Sequence, residues 1–277
     1  MKQLLKIIIN NIQTRIKNKK VIAFIYSLLA KFFSIHNSVK YSTEDGLFYH
    51  HMKSNVIFCD VKPVYIFSLS KFYDRTKSTS CVFYSPKDGD AIIDLGAGIG
   101  AEMIYLAQYI LPNGRVYSIE ASPKVSEILS INKRVNKFSN VTCHNIAISD
   151  TSGKVTISDF DSHQKNLISK SGSGAEIDSF TLDDFVIQNK IDKIDFLRVN
   201  IEGAEMQMIK GMEESIKIID NVAISCHDFL INPNNPSEPI KSEIINFLKS
   251  NNFEIHTVST GHLVRDSWIY GIRNKTF

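Results

Sequence analysis

Ala91–Gly100 reads AIIDLGAGIG, and the fold turns on this stretch. Ala91 to Leu95 make a short, mostly apolar strand with Asp94 close to its end. Gly96, Gly98 and Gly100 follow at every second position. A strand that enters a glycine-rich turn and leaves as a helix is the local design of a nucleotide-cofactor site. Glycines let the backbone approach a ligand with no Cβ in the way, and they adopt φ/ψ values closed to other residues. A helix is expected over 101–111, with its N-terminal amides aimed at the same spot.

The next segments repeat the strand–helix alternation. Arg115–Ile119 alternates as a second strand and ends at Glu120. An acidic residue there, about twenty residues past the glycines, can accept both hydroxyls of a ribose. Ser122 and Pro123 open a helix as N-cap and first residue, running to about Asn136. Val141–Asn145 is a third strand. Two cofactors compete at this point. Gly96-x-Gly98-x-x-Ala101 fits a dinucleotide pattern, which would make the chain an NAD-dependent oxidoreductase. The G-x-G-x-G spacing and Asp94 favour S-adenosylmethionine (SAM), because a carboxylate would repel a pyrophosphate and suits the cationic amino-acid end of SAM.

Further along, Ile194–Glu205 reads IDFLRVNIEGAE. With IIDLGAGIG, VYSIEASP and NIAISD, it resembles the FkbM-type SAM-dependent methyltransferases, in order and spacing from about Tyr84 to His227. The resemblance implies an α/β, Rossmann-like class I methyltransferase: a seven-stranded, mostly parallel sheet with helices on both faces. It implies O-methylation of hydroxyls on sugars, polyketides and other metabolites. It also implies that Asp94, Gly96, Ala97, Gly98, Glu120, Ala121, Asn145, Ile146, Ala147 and Asn200 contact SAM. The chain departs from the family pattern at Asn200, where an acidic residue is usual, and at Arg198, where lysine is usual. Cys226 stands where the family often has another acidic residue.

The second half supplies the candidate catalytic groups. Lys193–Asn200 is a fourth strand, and in a doubly wound sheet it neighbours the first. Asn200, Glu202 and Glu205 should therefore lie near the mouth formed by Asp94 and the glycines. Glu202 is the carboxylate best suited to bind an acceptor or remove its proton. Glu205 either binds the acceptor or favours the dipole of helix 204–211. Val222–Cys226 is a fifth strand, with His227 and Asp228 directly after it. A histidine at a strand's carboxyl end can act as general base, with Asp228 or Glu202 orienting it. The bland alternative is a hydrogen-bonded loop histidine. The polar stretch Asp159–Ser179 is expected as a loop over the site, offering His163 and Asn166 to the acceptor. A helix over 240–250 and strands over 253–258 and 267–273 complete the sheet as an antiparallel hairpin.

Composition limits the alternatives. The 277 residues are 43% hydrophobic and 22% charged, with a net charge of +3. That is an ordinary globular composition and gives no sign of a nucleic-acid partner. The four cysteines are scattered, with no zinc spacing, which fits a reducing, cytoplasmic setting. A divalent metal stays open, since Glu202, Glu205, His227 and Asp228 could supply oxygen and nitrogen ligands. Residues 1–79 form a helical and mixed extension, and 80–277 the catalytic domain. Within the extension, Lys2, Lys6, Arg15, Lys17, Lys19 and Lys20 precede the apolar run Val21–Ala30, too short to span a bilayer. Residues 1–33 are either an amphipathic helix at the inner face of the membrane or a cap packed on the domain or on a second subunit. The acceptor expected is a sugar hydroxyl of a surface glycan, or a related metabolite; a SAM-binding protein without transfer activity is the rival.

Overall fold

The computed structural model describes residues 12–32, 38–63, 68–157, 168–169, 174–226 and 240–274. Their contacts divide the chain into two compact units, 1–75 with 134–137, and 76–133 with 138–277.

The first unit combines one long helix and a three-stranded antiparallel sheet. Helix α1 (Lys19–Phe32) starts at Asn18, whose side-chain oxygen accepts the N–H of Lys20 and Val21 at 3.0 and 3.3 Å. Strands β1 (Ser38–Tyr41), β2 (Phe48–His51) and β3 (Ile57–Asp60) pair in that order. The inner face of α1, Ile22, Ala23 and Tyr26, packs on Val39 and Phe48. Ser27 Oγ locks helix to sheet, donating to the Val39 carbonyl and accepting its N–H, both at 2.8 Å. Helix α2 (Leu69–Lys77) brings Phe72 edge-on to Phe58 at 5.3 Å. His50 is buried and its neighbour His51 half-buried, as alternation along a strand requires.

In the second unit, seven strands form one sheet. They are β4 (Ala91–Leu95), β5 (Arg115–Ile119), β6 (Val141–His144), β11 (Phe196–Val199), β12 (Asn221–Ser225), β13 (Phe253–Thr257) and β14 (Trp268–Arg273). The order is β13-β14-β12-β11-β4-β5-β6; all neighbours are parallel except β12–β14 and β13–β14. This is the expected mostly parallel sheet, closed by an antiparallel hairpin. Strand order reverses at β4, so the ligand crevice belongs beyond its carboxyl end. Every residue of β11 is buried, and so are four of the five in β4 and in β12. Such strands read as continuous apolar runs because helices cover both faces. Between strands run α3 (Ala101–Tyr109), α4 (Pro123–Val135), α5 (Leu182–Gln188), α6 (Glu205–Lys210) and α7 (Ile240–Ser250). Leu182, Phe185, Met208, Ile244 and Leu248, from the last three helices, share one core with Ile93, Leu95, Leu197 and Val199. Thr181 caps α5, its hydroxyl accepting the Asp184 N–H at 3.0 Å.

One element differs from the sequence reading. A second, four-stranded sheet joins β7 (Ala147–Ile148), β10 (Ala175–Phe180), β8 (Gly153–Ile157) and β9 (Ile168–Ser169) in that order. The expected loop over 159–179 therefore holds a strand from Ala175. Its sequence, AEIDSF, is charged only on alternate positions: Ile177 and Ser179 are buried while Glu176 and Asp178 face out. Two inward residues were too few to stand out from their charged neighbours.

Candidate active site

The turn after β4 is held by backbone. Gly96 and Ala97 both donate to the Ile119 carbonyl, at 2.9 and 3.0 Å. Gly96 and Gly98 have φ of 70° and 56°. A Cβ on Gly96 would stand 2.0 Å from the carbonyl oxygen of Asn200, whereas one on Gly98 would meet nothing within 4 Å. Gly96 is thus glycine because another stretch of backbone crosses it. Gly98 borders open space, where a ligand has room to lie against the chain. On the far side of the turn, the buried Asn132 side chain donates to the Ile99 carbonyl at 2.7 Å.

The open side is lined by Glu120. Its Oε2 accepts the Gly98 N–H and its Oε1 the Ser122 N–H, each at 2.9 Å. Burial pushes the Glu120 carboxyl pKa up, and the Ser122 and Gly98 N–H groups draw it back down. Asn145 fixes the backbone here, donating from Nδ2 to the carbonyls of Glu120 and Ala121 at 2.9 Å. Ile146 is half-buried beside it. Ala147 is 2% exposed and packs with Ile157 and Ile177, so its side chain belongs to the small sheet's core. Ala97 is likewise buried; only their backbones could meet a ligand.

Asp94 faces the other way. It is 0% exposed, and its Oδ1 accepts from Arg198 Nη1 at 3.0 Å. The same Nη1 donates to the Gly96 carbonyl at 2.8 Å, and Nη2 lies 3.9 Å from Glu102 at the start of α3. Arg198 thereby ties β11, β4, the glycine turn and α3 together. Burial pushes the Asp94 carboxyl up to about 6, against the pull of Arg198. Burial works against the guanidinium too, but Asp94 and Glu102 outweigh it and hold its pKa up. The Arg198 guanidinium also lies 5.8 Å from the ring centre of Trp268. In this structure the Asp94 carboxylate, expected at the cationic amino-acid end of SAM, is sealed inside and turned to Arg198. Arg198 escaped the sequence reading as a site residue. The signal was present: an arginine inside the apolar run DFLRV needs a buried partner, and the neighbouring AIIDL holds one.

Asn200 follows β11, its N–H donating to the Leu95 carbonyl at 3.0 Å. It and Glu202 are half-buried, and Glu202 has φ of 53°, unusual for a side chain with a Cβ. Glu205 is 0% exposed, and its Oε1 accepts the Gly203 N–H at 3.2 Å. It braces its own turn and offers no surface to an acceptor. The structure thus brings together the glycine turn, Glu120, Asn145 and the Asn200 backbone, with Glu202 two residues further along the chain. His163, Asn166, His227 and Asp228 lie outside the described residues. Among the described residues, no three histidine, cysteine, aspartate or glutamate side chains are grouped to hold a metal ion.

Comparison with known proteins gives the family. The model of the FkbM methyltransferase domain matches residues 94–255, more than half of the chain. A methyltransferase FkbM from Methylobacillus flagellatus KT is 20% identical, with a TM-score of 0.48 over 69% of this chain and 45% of that one. Aeropyrum pernix fibrillarin, solved with natively bound SAM, is 16% identical, with a TM-score of 0.47 over 85% and 98%. A protein-L-isoaspartate O-methyltransferase of the same archaeon is 40% identical over 42 residues, 15% of this chain and 16% of that one. The chain spans under half of the Methylobacillus protein, and its match covers about a sixth of the isoaspartate enzyme. With the family model covering the glycine turn, Glu120 and the Asn200–Gly203 turn, the chain belongs to the FkbM family of SAM-dependent methyltransferases.

Proposed function

We propose that this chain moves a methyl group from SAM to a hydroxyl oxygen, that of a sugar in a surface glycan or of a related metabolite. The observation that carries the reading is the crossing of two loops. Gly96 lies directly under the Asn200 carbonyl, so the cofactor turn and the Asn200–Gly203 turn share one mouth. When bound, SAM supplies an electrophilic methyl group on a positively charged sulfur. The open space over Gly98 is assigned to its adenosine, with the Glu120 carboxylate at the edge assigned to the ribose hydroxyls. Asn200 presents a neutral amide to the amino-acid end.

The acceptor hydroxyl must shed its proton as its oxygen takes the methyl. Glu202, half-buried two residues beyond Asn200, and His227, directly after β12, are the groups assigned to that proton, with Asp228 orienting the histidine. His163 and Asp228 are assigned to holding the acceptor. Most of the rate would come from alignment of the hydroxyl with the methyl carbon, with the base adding to it. The work is assigned to the cytoplasm, where SAM is made available.

The test has two arms. Titration calorimetry should show binding of S-adenosylhomocysteine (SAH) and none of NADH. Tritiated-methyl SAM, offered with a panel of nucleotide sugars and simple glycosides, should label at least one of them. Labelling should fall about a hundredfold or more in Glu202→Gln or His227→Ala. SAH binding without labelling of any hydroxyl compound would remove the acceptor class; loss of SAH binding would remove the whole reading.

A further inference from the structure

Helix α1 has two faces, and the first unit uses one of them. Ile22, Ala23, Tyr26 and Ala30 are buried. At about 100° per residue, Val21, Phe24 and Leu28 share the opposite side, and they are 42%, 63% and 51% exposed. Lys20 and Lys31 stand exposed on the same side, and Lys17 stands exposed just ahead of the helix. None of these three lysines has an acidic partner among the described residues. Lys19, which falls on the packed side, lies instead over the Phe48 ring at 6.0 Å.

Charge along the chain is strongly divided. Residues 1–40 hold eight lysines and arginines and no acidic residue, whereas residues 41–277 hold 24 basic and 29 acidic ones. The modest net charge hides a cationic end on an otherwise anionic protein. That division selects the occupant of the exposed stripe. A second copy meeting it face to face would set lysines against lysines. A nucleic acid would match the lysines and leave Val21, Phe24 and Leu28 without purpose. An anionic lipid surface satisfies both, taking apolar side chains among its acyl chains and lysines among its phosphates. No described helix is long and apolar enough to cross a membrane. Fourteen residues make a helix about 21 Å long, which suits lying in the plane of the surface.

We propose that α1 docks the protein on an anionic bilayer through Phe24, Leu28 and Val21, with Lys17, Lys20 and Lys31 against the headgroups. This stands apart from the methyl-transfer reading and does not depend on the acceptor.

Flotation of the full chain with vesicles tests it, using phosphatidylcholine alone or with about a third phosphatidylglycerol, an anionic share that gives a cytoplasmic-type surface potential. The wild type should float with the anionic vesicles only and lose most of that binding in high salt. Phe24→Ser with Leu28→Ser, and separately Lys20→Glu with Lys31→Glu, should each lower binding about tenfold. Both double variants should keep the thermal midpoint and the SAH affinity of the wild type, since they alter an outward face. Three results would overturn the proposal. The wild type fails to float, or both variants float as well as it does. Alternatively, the apolar variant dissolves a dimer seen in light scattering while lipid plays no part. A fallen thermal midpoint in the apolar variant would also count against it, because the stripe would then be packing on the chain itself.

Discussion

Asp94 and Glu120 invite comparison. Each is an acidic residue at the carboxyl end of a parallel strand, and the two strands are neighbours in the sheet. In sequence they look like a matched pair of ligand-binding carboxylates. In the fold they divide the labour. Asp94 is sealed inside, matched by Arg198, and its bonds hold the turn in shape. Glu120 sits at the mouth and bonds only to backbone N–H groups, which a ligand's hydroxyls could join or replace. The difference is set by which way each side chain leaves the pleat and by what waits there. One acid holds the turn, and the other lines its open side.

The largest test of this division is Arg198→Met. It leaves the Asp94 carboxyl buried without its cation and should cost about 3–5 kcal/mol of stability in chemical denaturation. A loss below about 1 kcal/mol would mean that the pair is not the tie it looks to be. Next comes Gly96→Ala. The new methyl would collide with the Asn200 carbonyl at a backbone angle that disfavours it, for about 2–4 kcal/mol and a displaced Asn200–Gly203 turn. Glu120→Ala should do the reverse of Arg198→Met. SAH affinity should fall about 10- to 100-fold by calorimetry, while stability should fall by only about 1–2 kcal/mol for the two backbone N–H groups released. Equal damage to stability and affinity in both variants would erase the contrast.

Two smaller effects sharpen it. Gly98→Ala has room for its methyl but an unfavourable φ, so it should cost roughly 1–2 kcal/mol of stability. Its effect on SAH binding should be larger, since the methyl enters the ligand's space. The smallest concerns pH. The Asp94 carboxyl lies near 6 in the folded chain and near 3.8 when unfolded. Between those values the folded protein holds the proton more tightly, so this group's favourable term is present in acid and fades as pH rises through about 6. Asp94→Asn removes the term. The stability of the wild type relative to this variant should therefore decline from pH 4.5 to 7; a flat difference would mean that Asp94 is not held up by burial.

Much of this was legible in the sequence, and the reasons are local. The core strands announce themselves as apolar runs, Ser122-Pro123 and Thr181 mark helix starts, and AIIDLGAGIG carries its own turn. The neighbouring of β4 and β11 followed from the doubly wound order, which brought Asn200 to the glycines. What escaped depends on partners far off in the chain. The run DFLRVN says that Arg198 needs a buried partner, but not that it also reaches the Gly96 carbonyl, 102 residues earlier. Likewise, β10 is a strand only because β7 and β8 flank it. Glu205 is the first-turn acid that one of its two readings expected, and the turn that buries it, closing it to an acceptor, is set by Gly203 and the chain beyond it.

Trp268 carries a last consequence. It is the chain's single tryptophan, it is 4% exposed, and it lies against the Arg198 guanidinium. The protein's tryptophan emission therefore comes from one point, beside the Arg198–Asp94 pair. Any event that shifts that arginine will change colour or brightness at that single lamp. Excited apart from the ten tyrosines, that residue is an optical reporter of the Arg198 environment.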